Sequence, residues 1–265
     1  MDSFQVIQPS ALLSPYIKHY WLMTINDAAR STERVIPTGM MSLMFHRGER
    51  IYSLTENQLQ PRAFLCGQDM SYADLIYQGT IDMIAVDFRP AGAKAFFKMP
   101  MIELFDQAVA VDTLSDPQLI ELEKRLSDAN DPITCVSLIE QFLYHRLYQL
   151  ETYNLKRINA VINALSSGEQ NMEKLAATAC LGYKQFKRIF ADYIGANPKD
   201  YLRIVRFQKA LHTLQTQPDI QFNHLAYDCG YYDNSHLIKE FRQFSGYTPS
   251  EYIAVCHPHS DFFSK

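Results

Sequence analysis

Lys184, Gln185, Lys187 and Arg188 put three cations and one amide within five residues, with no acid among them. Ser235, His236 and Lys239 stand 51 residues after 184, 185 and 188, with Asn234 just before them and Arg242 one turn beyond. Side chains of these types can read base edges. Lys and Arg suit guanine O6 and N7, while Asn and Gln suit adenine N6 and N7. An α-helix that carries them fits the DNA major groove. In a helix-turn-helix unit, the N-terminal part of the second helix meets the bases. A solvated basic face is the commoner meaning of one charged helix. Two such helices at matching places weigh against it.

The elements that would position these residues form an internal repeat. Met172, Leu175, Ala176 and Ala179 recur as Phe222, Leu225, Ala226 and Cys229, an offset of 50. After one added residue, Phe186, Phe190 and Tyr193 match Leu237, Phe241 and Phe244. Gly195, Pro198 and Tyr201 then match Gly246, Pro249 and Tyr252 at identical spacing. Each copy reads as two short helices, with apolar residues at i, i+3, i+4 and i+7. Gly182 and Asp233 stand before the two second helices, and Asp233 is suited to cap one. A connector helix over about 199–214 buries Phe207, Ala210, Leu211 and Leu214. Its ~16 residues span roughly 24 Å. That length could hold the two readers about one DNA turn, ~34 Å, apart. Arg203 and Arg206 on this connector suit phosphate contacts or internal ion pairs, and both readings stay open.

Charge supports a division of labour. The chain has 265 residues and a net charge of −4. Residues 1–151 carry 12 Lys+Arg against 19 Asp+Glu, whereas 152–265 carry 13 against 10. Hydrophobic types at 47% and charged types at 20% describe an ordinary globular protein with room for one or two cores. No apolar run approaches the ~18 residues of a membrane span, and the N-terminus lacks a secretory signal pattern. No membrane partner is expected. Five widely spaced cysteines without a CxxC suggest reduced thiols and a cytoplasmic location.

These residues resemble the AraC/XylS family of bacterial transcription regulators. The first copy carries the resemblance in Leu175-Ala176, Lys184-x-Phe186-x-Arg188-x-Phe190, Gly195-x-x-Pro198-x-x-Tyr201-Leu202-Arg203 and Arg206. The second carries it in Gly230-Tyr231, Ser235-His236-Leu237-x-Lys239-x-Phe241 and Gly246-x-x-Pro249-x-x-Tyr252. The match covers about 155–253. It implies a seven-helix domain with two helix-turn-helix units, recognition of double-stranded DNA at asymmetric promoter sites, and contact with RNA polymerase. By position it places Lys184, Lys187 and Arg188 on bases of one groove. Asn234, Ser235 and Lys239 fall on the next groove, with His236 near the backbone. Gly182 stands where a capping Ser is common, and Lys184 and Lys239 stand where Arg is common. A Lys is a point charge rather than a bidentate fork.

The first ~90 residues read as short strands over 16–25, 40–45, 51–54, 63–66, 73–77 and 83–88, with a short helix over 93–98. Asp116-Pro117 and Asp131-Pro132 mark helices over 117–128 and 132–150. The second carries a Val136, Ile139, Leu143, Leu147 and Leu150 stripe. That stripe is core, or else the seam of a homodimer. The expected fold class is therefore α+β in two domains. A β-rich, barrel-like unit over 1–150 senses a small-molecule effector or mediates dimerisation. An all-α unit over 155–255 binds DNA. Segments 36–45 and 88–93 resemble, more weakly, a sensor domain of the same family. Trp21 reads as core, and Arg34, His46 and Arg89 as surface or turn residues before anion contacts.

No enzyme is expected, because GxSxG, HExxH, P-loop and CxxC patterns are absent. No catalytic residue, metal site or cofactor is assigned. Cys256, His257 and His259 are metal-capable but read as a solvated tail. A second reading keeps DNA binding and gives the first domain protein contacts alone. A third makes that domain an enzyme tethered to DNA.

Overall fold

The computed structural model describes residues 2–147, 152–217 and 219–255; the 256–259 motif and Leu150 lie outside them. The N-terminal half is an antiparallel sheet of β1 (Ser3–Ile7), β2 (Ile17–Val35), β3 (Ser42–His46), β4 (Tyr52–Ser53), β5 (Gln58–Leu59), β6 (Ala63–Cys66), β7 (Ala73–Phe88) and β8 (Ala108–Ala110). The strand order is β1-β2-β7-β3-β6-β8, with β4 joining β7 and β5 at the side. β7 is one strand rather than two. Its Leu75–Tyr77 part pairs with the polar second half of β2, and its Ile81–Asp87 part pairs with the apolar first half.

Strand alternation sorts neighbours onto two buried faces. Tyr20, Leu22, Ile84, Val86 and Phe88 enter one core. Trp21, Ile81, Met83 and Ala85 enter another on the opposite face. Helices α1 (Pro117–Asp128) and α2 (Pro132–Arg146) cover the first face with Leu119, Leu122, Leu126, Ile139 and Leu143. Asp116 and Asp131 cap them, each accepting from backbone N–H groups. α2 stops earlier than the expected 150, because Leu147 is extended. Ile139 and Leu143 are fully buried and Val136 and Leu147 half-buried, so the described part of the apolar stripe packs into the core. The helix expected over 93–98 shrinks to a 3-10 turn, Ala93–Ala95; a second such turn spans Met101–Leu104.

The second half is helical: α3 (Thr152–Ser166), α4 (Met172–Thr178), α5 (Tyr183–Ile194), α6 (Pro198–Thr216), α7 (Phe222–Asp228), α8 (Asn234–Ser245) and α9 (Pro249–Val255). Two cores meet on α6, one mainly at its start and the other along the rest. Phe186, Phe190 and Tyr201 belong to the first; Phe207, Phe241, Phe244 and Tyr252 belong to the second. The turn between α4 and α5 places Cys180 in the left-handed region at φ 52°, where the second copy has Gly230 at φ 79°. That conformation costs a side chain roughly 1–2 kcal/mol, of which glycine's extra chain freedom returns about 0.5–1. Cys180→Gly is therefore expected to raise stability by about 0.5–1 kcal/mol, read from urea unfolding. No change would mean that the exposed thiol is already relaxed there.

Candidate nucleic-acid interface

The second helix of each unit buries one face and presents another. In α5, Phe186, Ile189 and Phe190 are buried, while Lys184, Gln185, Lys187 and Arg188 are all exposed. None of these three cations has an ion-pair partner among the described residues. Gly182 precedes α5 without a side-chain cap, which leaves its first N–H groups open. Tyr183 is exposed at the same end, with the Lys187 ammonium 5.9 Å from its ring centre. Sequence reading did not single out Tyr183, although its place at the helix start was visible.

In α8, Asp233 caps the helix by accepting from the His236 N–H at 2.8 Å. Ser235, Lys239 and Arg242 are exposed and line one open groove with Ile238 and Gln243. Arg242 also lies 3.6 Å from Glu251. Asn234 is half-buried and its amide donates to Asn223. His236 turns inward: Nδ1 accepts from the Tyr232 N–H at 3.3 Å, and Nε2 lies 3.5 Å from Glu240. The structure thus gathers Ser235, Lys239 and Arg242 on one surface and ties Asn234 and His236 to their own unit. Tyr232, at 92% exposure beside that surface, also escaped the sequence reading.

The connector decides the roles of its two arginines. Arg203 Nε donates to Glu240 at 2.6 Å, and Arg206 Nη2 donates to it at 3.2 Å. Both make internal ion pairs, and these lock α8 onto α6. α6 has 19 residues, hence a length of about 28 Å.

Both α5 and α8 end on the sheet domain. The Ile194 carbonyl accepts from Gln68 Nε2 at 3.2 Å, and Lys94 pairs with Asp192 at 2.8 Å. The Ser245 carbonyl accepts from Arg34 Nη1 at 3.2 Å. Arg34 is held by Asp74 through both carboxylate oxygens, at 2.7 and 2.8 Å, and lies over the rings of Tyr72 and Tyr247. At φ 75°, Gly246 passes so close that a Cβ there would meet Arg34 and Tyr72. Arg34 is therefore an interdomain clamp rather than an anion contact. Arg89 bonds the Ser14 carbonyl, and His46 is buried against Gln60, with burial pulling its pKa down to about 4.

The second buried face of the sheet encloses a cavity of about 320 Å³. Trp21, Phe64 and Tyr77 line it, so Trp21 is both core and cavity wall. Ile36, Thr38, Gly67, Asp69, Tyr72 and Asp106 line the side that adjoins the helical half. Asp69 has no hydrogen-bond or ion-pair partner among the described residues. Burial, with the fields of Asp106 and Glu56, pushes its carboxyl up to about 7. Between about pH 4 and 7 the unfolded chain has released this proton while the folded chain keeps it, so stability falls as pH rises through that window. Asp69→Asn is expected to raise Tm at pH 8 more than at pH 5. An equal change at both values would mean that the carboxyl titrates normally. Among the described residues no His, Cys, Asp and Glu cluster could hold a metal ion, and no helix is long and apolar enough to cross a membrane.

Comparison with known proteins matches residues 175–254 to a family described as a helix-turn-helix domain. Residues 5–110 match a domain of unknown function, DUF6597. An uncharacterised HTH-type transcriptional regulator of Haemophilus influenzae is 31% identical over 166 residues, covering 58% of this chain and 51% of that protein. The HTH-type transcriptional activator RhaS of Escherichia fergusonii is 32% identical over 79 residues, covering 30% and 28%. The chain thus spans about half or less of the length of these curated relatives. Among solved structures, ToxT from Vibrio cholerae aligns with TM-score 0.45 and 8% identity over 95% of this chain and 98% of that one. The DNA-binding domain of AdpA, in complex with a target DNA, aligns with TM-score 0.35 and 29% identity over 37% and 90%.

Proposed function

We propose that this chain, which belongs through residues 175–254 to the AraC type of helix-turn-helix transcription regulators, reads a two-box DNA site under the control of a small molecule in its sheet domain. The observation that carries the DNA reading is the repeat itself. Two units on one connector each expose polar and basic residues at the start of the second helix. Lys184, Gln185, Lys187 and Arg188 would read one major groove. Ser235, Lys239 and Arg242 would read the next, with Asn234 and His236 supporting α8 from within. A protein bound this way beside a promoter is placed to meet RNA polymerase.

Control by a ligand is supported by a shared wall. The segments 36–40 and 67–72 line the cavity on one side. On the other, Pro37 accepts from Gln208 of α6, Met70 accepts from Gln243 of α8, and Gln68 donates to α5. A molecule that moves this wall moves the ends of both readers. Such coupling requires that the ligand bind the two domain arrangements with different affinity.

The test is a binding selection from random-sequence DNA at two salt concentrations. An asymmetric motif with two boxes about one turn apart is the expected result. Recovery of DNA without a motif, lost steeply with salt, would mean phosphate contact alone and would remove the reading of bases. Half-site recovery would remove one of the two units.

A further inference from the structure

We infer that the cavity of the N-terminal sheet binds a small organic cation, an ammonium or guanidinium group on an apolar body. The inference rests on the ligand-controlled reading above and names its ligand class. Every charged side chain on the cavity wall is acidic: Glu56, Asp69, Asp87 and Asp106. No Lys, Arg or His lines it. The nearby bases are turned to other work. His19 bonds Asp87 at 2.9 Å, and the Arg34 guanidinium is taken up by Asp74. His46, stacked behind Phe64, is held neutral near pH 7 by burial.

The four carboxylates are not equally available. Asp87 accepts from both His19 and Ser42, and Asp106 accepts from the Met70 N–H. Glu56 accepts from Gln58. Asp69 alone of the four has no hydrogen-bond or ion-pair partner among the described residues, and burial, with the fields of Asp106 and Glu56, raises its proton affinity. A ligand cation supplies that offset. The rest of the wall suits its body: Trp21, Phe64 and Tyr77 bring aromatic rings to it, and such rings attract cations as well as apolar groups. An anionic ligand would meet the unpaired Asp69 with no basic side chain on the wall to offset either charge, since Glu56 and Asp106 are exposed and Asp87 is already paired with His19. A bare metal ion would need converging ligands, and no such cluster exists among the described residues. The volume, about 320 Å³, lies at the small end of the range for small-molecule sites.

The experiment uses the full chain at pH 8. Thermal shift and calorimetry are run with phenethylamine and hexylamine, and with the matching anions, 3-phenylpropionate and hexanoate. The amines are expected to raise Tm and bind at least tenfold more tightly than the anions. Asp69→Asn is expected to weaken amine binding at least tenfold, and exposed Asp112→Asn to leave it unchanged. Anions that bind as well as the amines, amine binding indifferent to Asp69→Asn, or no binding by any probe would each overturn the inference. DNA affinity is titrated separately, with and without phenethylamine. Amine binding that leaves DNA affinity unchanged supports this inference and removes ligand control. Failure of the amines with DNA recognition intact does the reverse for the cavity alone.

Discussion

Glu240→Ala is expected to cost the folded protein about 3–5 kcal/mol. Glu240 is 5% exposed, and three basic side chains converge on its carboxylate. Removing it leaves the Arg203 and Arg206 guanidiniums beside a void, without the charge that offset their burial. Partial compensation exists: Arg203 also meets Gln243 at 2.7 Å and Asp200 at 3.7 Å, while Arg206 lies over the Tyr231 ring at 5.2 Å. Glu240→Gln keeps the volume and one acceptor, so its loss is smaller. The measurement is urea unfolding, followed by far-UV circular dichroism for the helices and by fluorescence of the single tryptophan, Trp21, for the sheet. The helical transition moves first if the two halves unfold separately. A loss below about 1 kcal/mol would mean that the cluster is solvated and that something else fixes α8 to α6.

Lys187→Ala combined with Arg188→Ala is expected to weaken specific DNA binding by roughly 2–6 kcal/mol, since each good base contact contributes about 1–3. Both side chains are exposed and neither is in an ion pair, so folding stability should change by less than about 0.5 kcal/mol. The comparison is between the selected operator and a scrambled duplex at equal salt. A selective loss on the operator means base reading. An equal loss on both duplexes, with the salt slope reduced by about two, assigns the pair to phosphates. Arg188 is the stronger partner for guanine, because its fork can donate to O6 and N7 together.

The helical half was legible because its information is local and written twice. A repeat with fixed Gly-x-x-Pro-x-x-Tyr spacing identifies both units, and Asp233 occupies its cap as its type suggests. The capping of Asp116 and Asp131 was readable for the same reason. Arg203 and Arg206 were not decidable, since Glu240 lies 37 and 34 residues away. In the sheet, the long β2 was underestimated because its second half is polar and exposed. β7 was divided because Gly79, at φ 75°, and its polar neighbours resemble a break. Asp69 drew no notice at all. Its chemistry arises from burial in a wall assembled from several strands, and from the field of Asp106, 37 positions on.

The alternation along β2 and β7 separates two kinds of inheritance. On β2, Tyr20 and Leu22 serve the helix-covered core while Trp21 between them faces the cavity. On β7, Ile84 serves that core while Met83 beside it faces the cavity. Residues at 21, 44, 75, 77 and 83 can therefore be exchanged on the cavity face without touching the residues that hold α1 and α2. The exposed positions of α5 and α8, which carry no fold, can diverge separately. The cavity wall and the exposed faces of α5 and α8 can thus change in different mutational steps, along one strand and one helix face at a time.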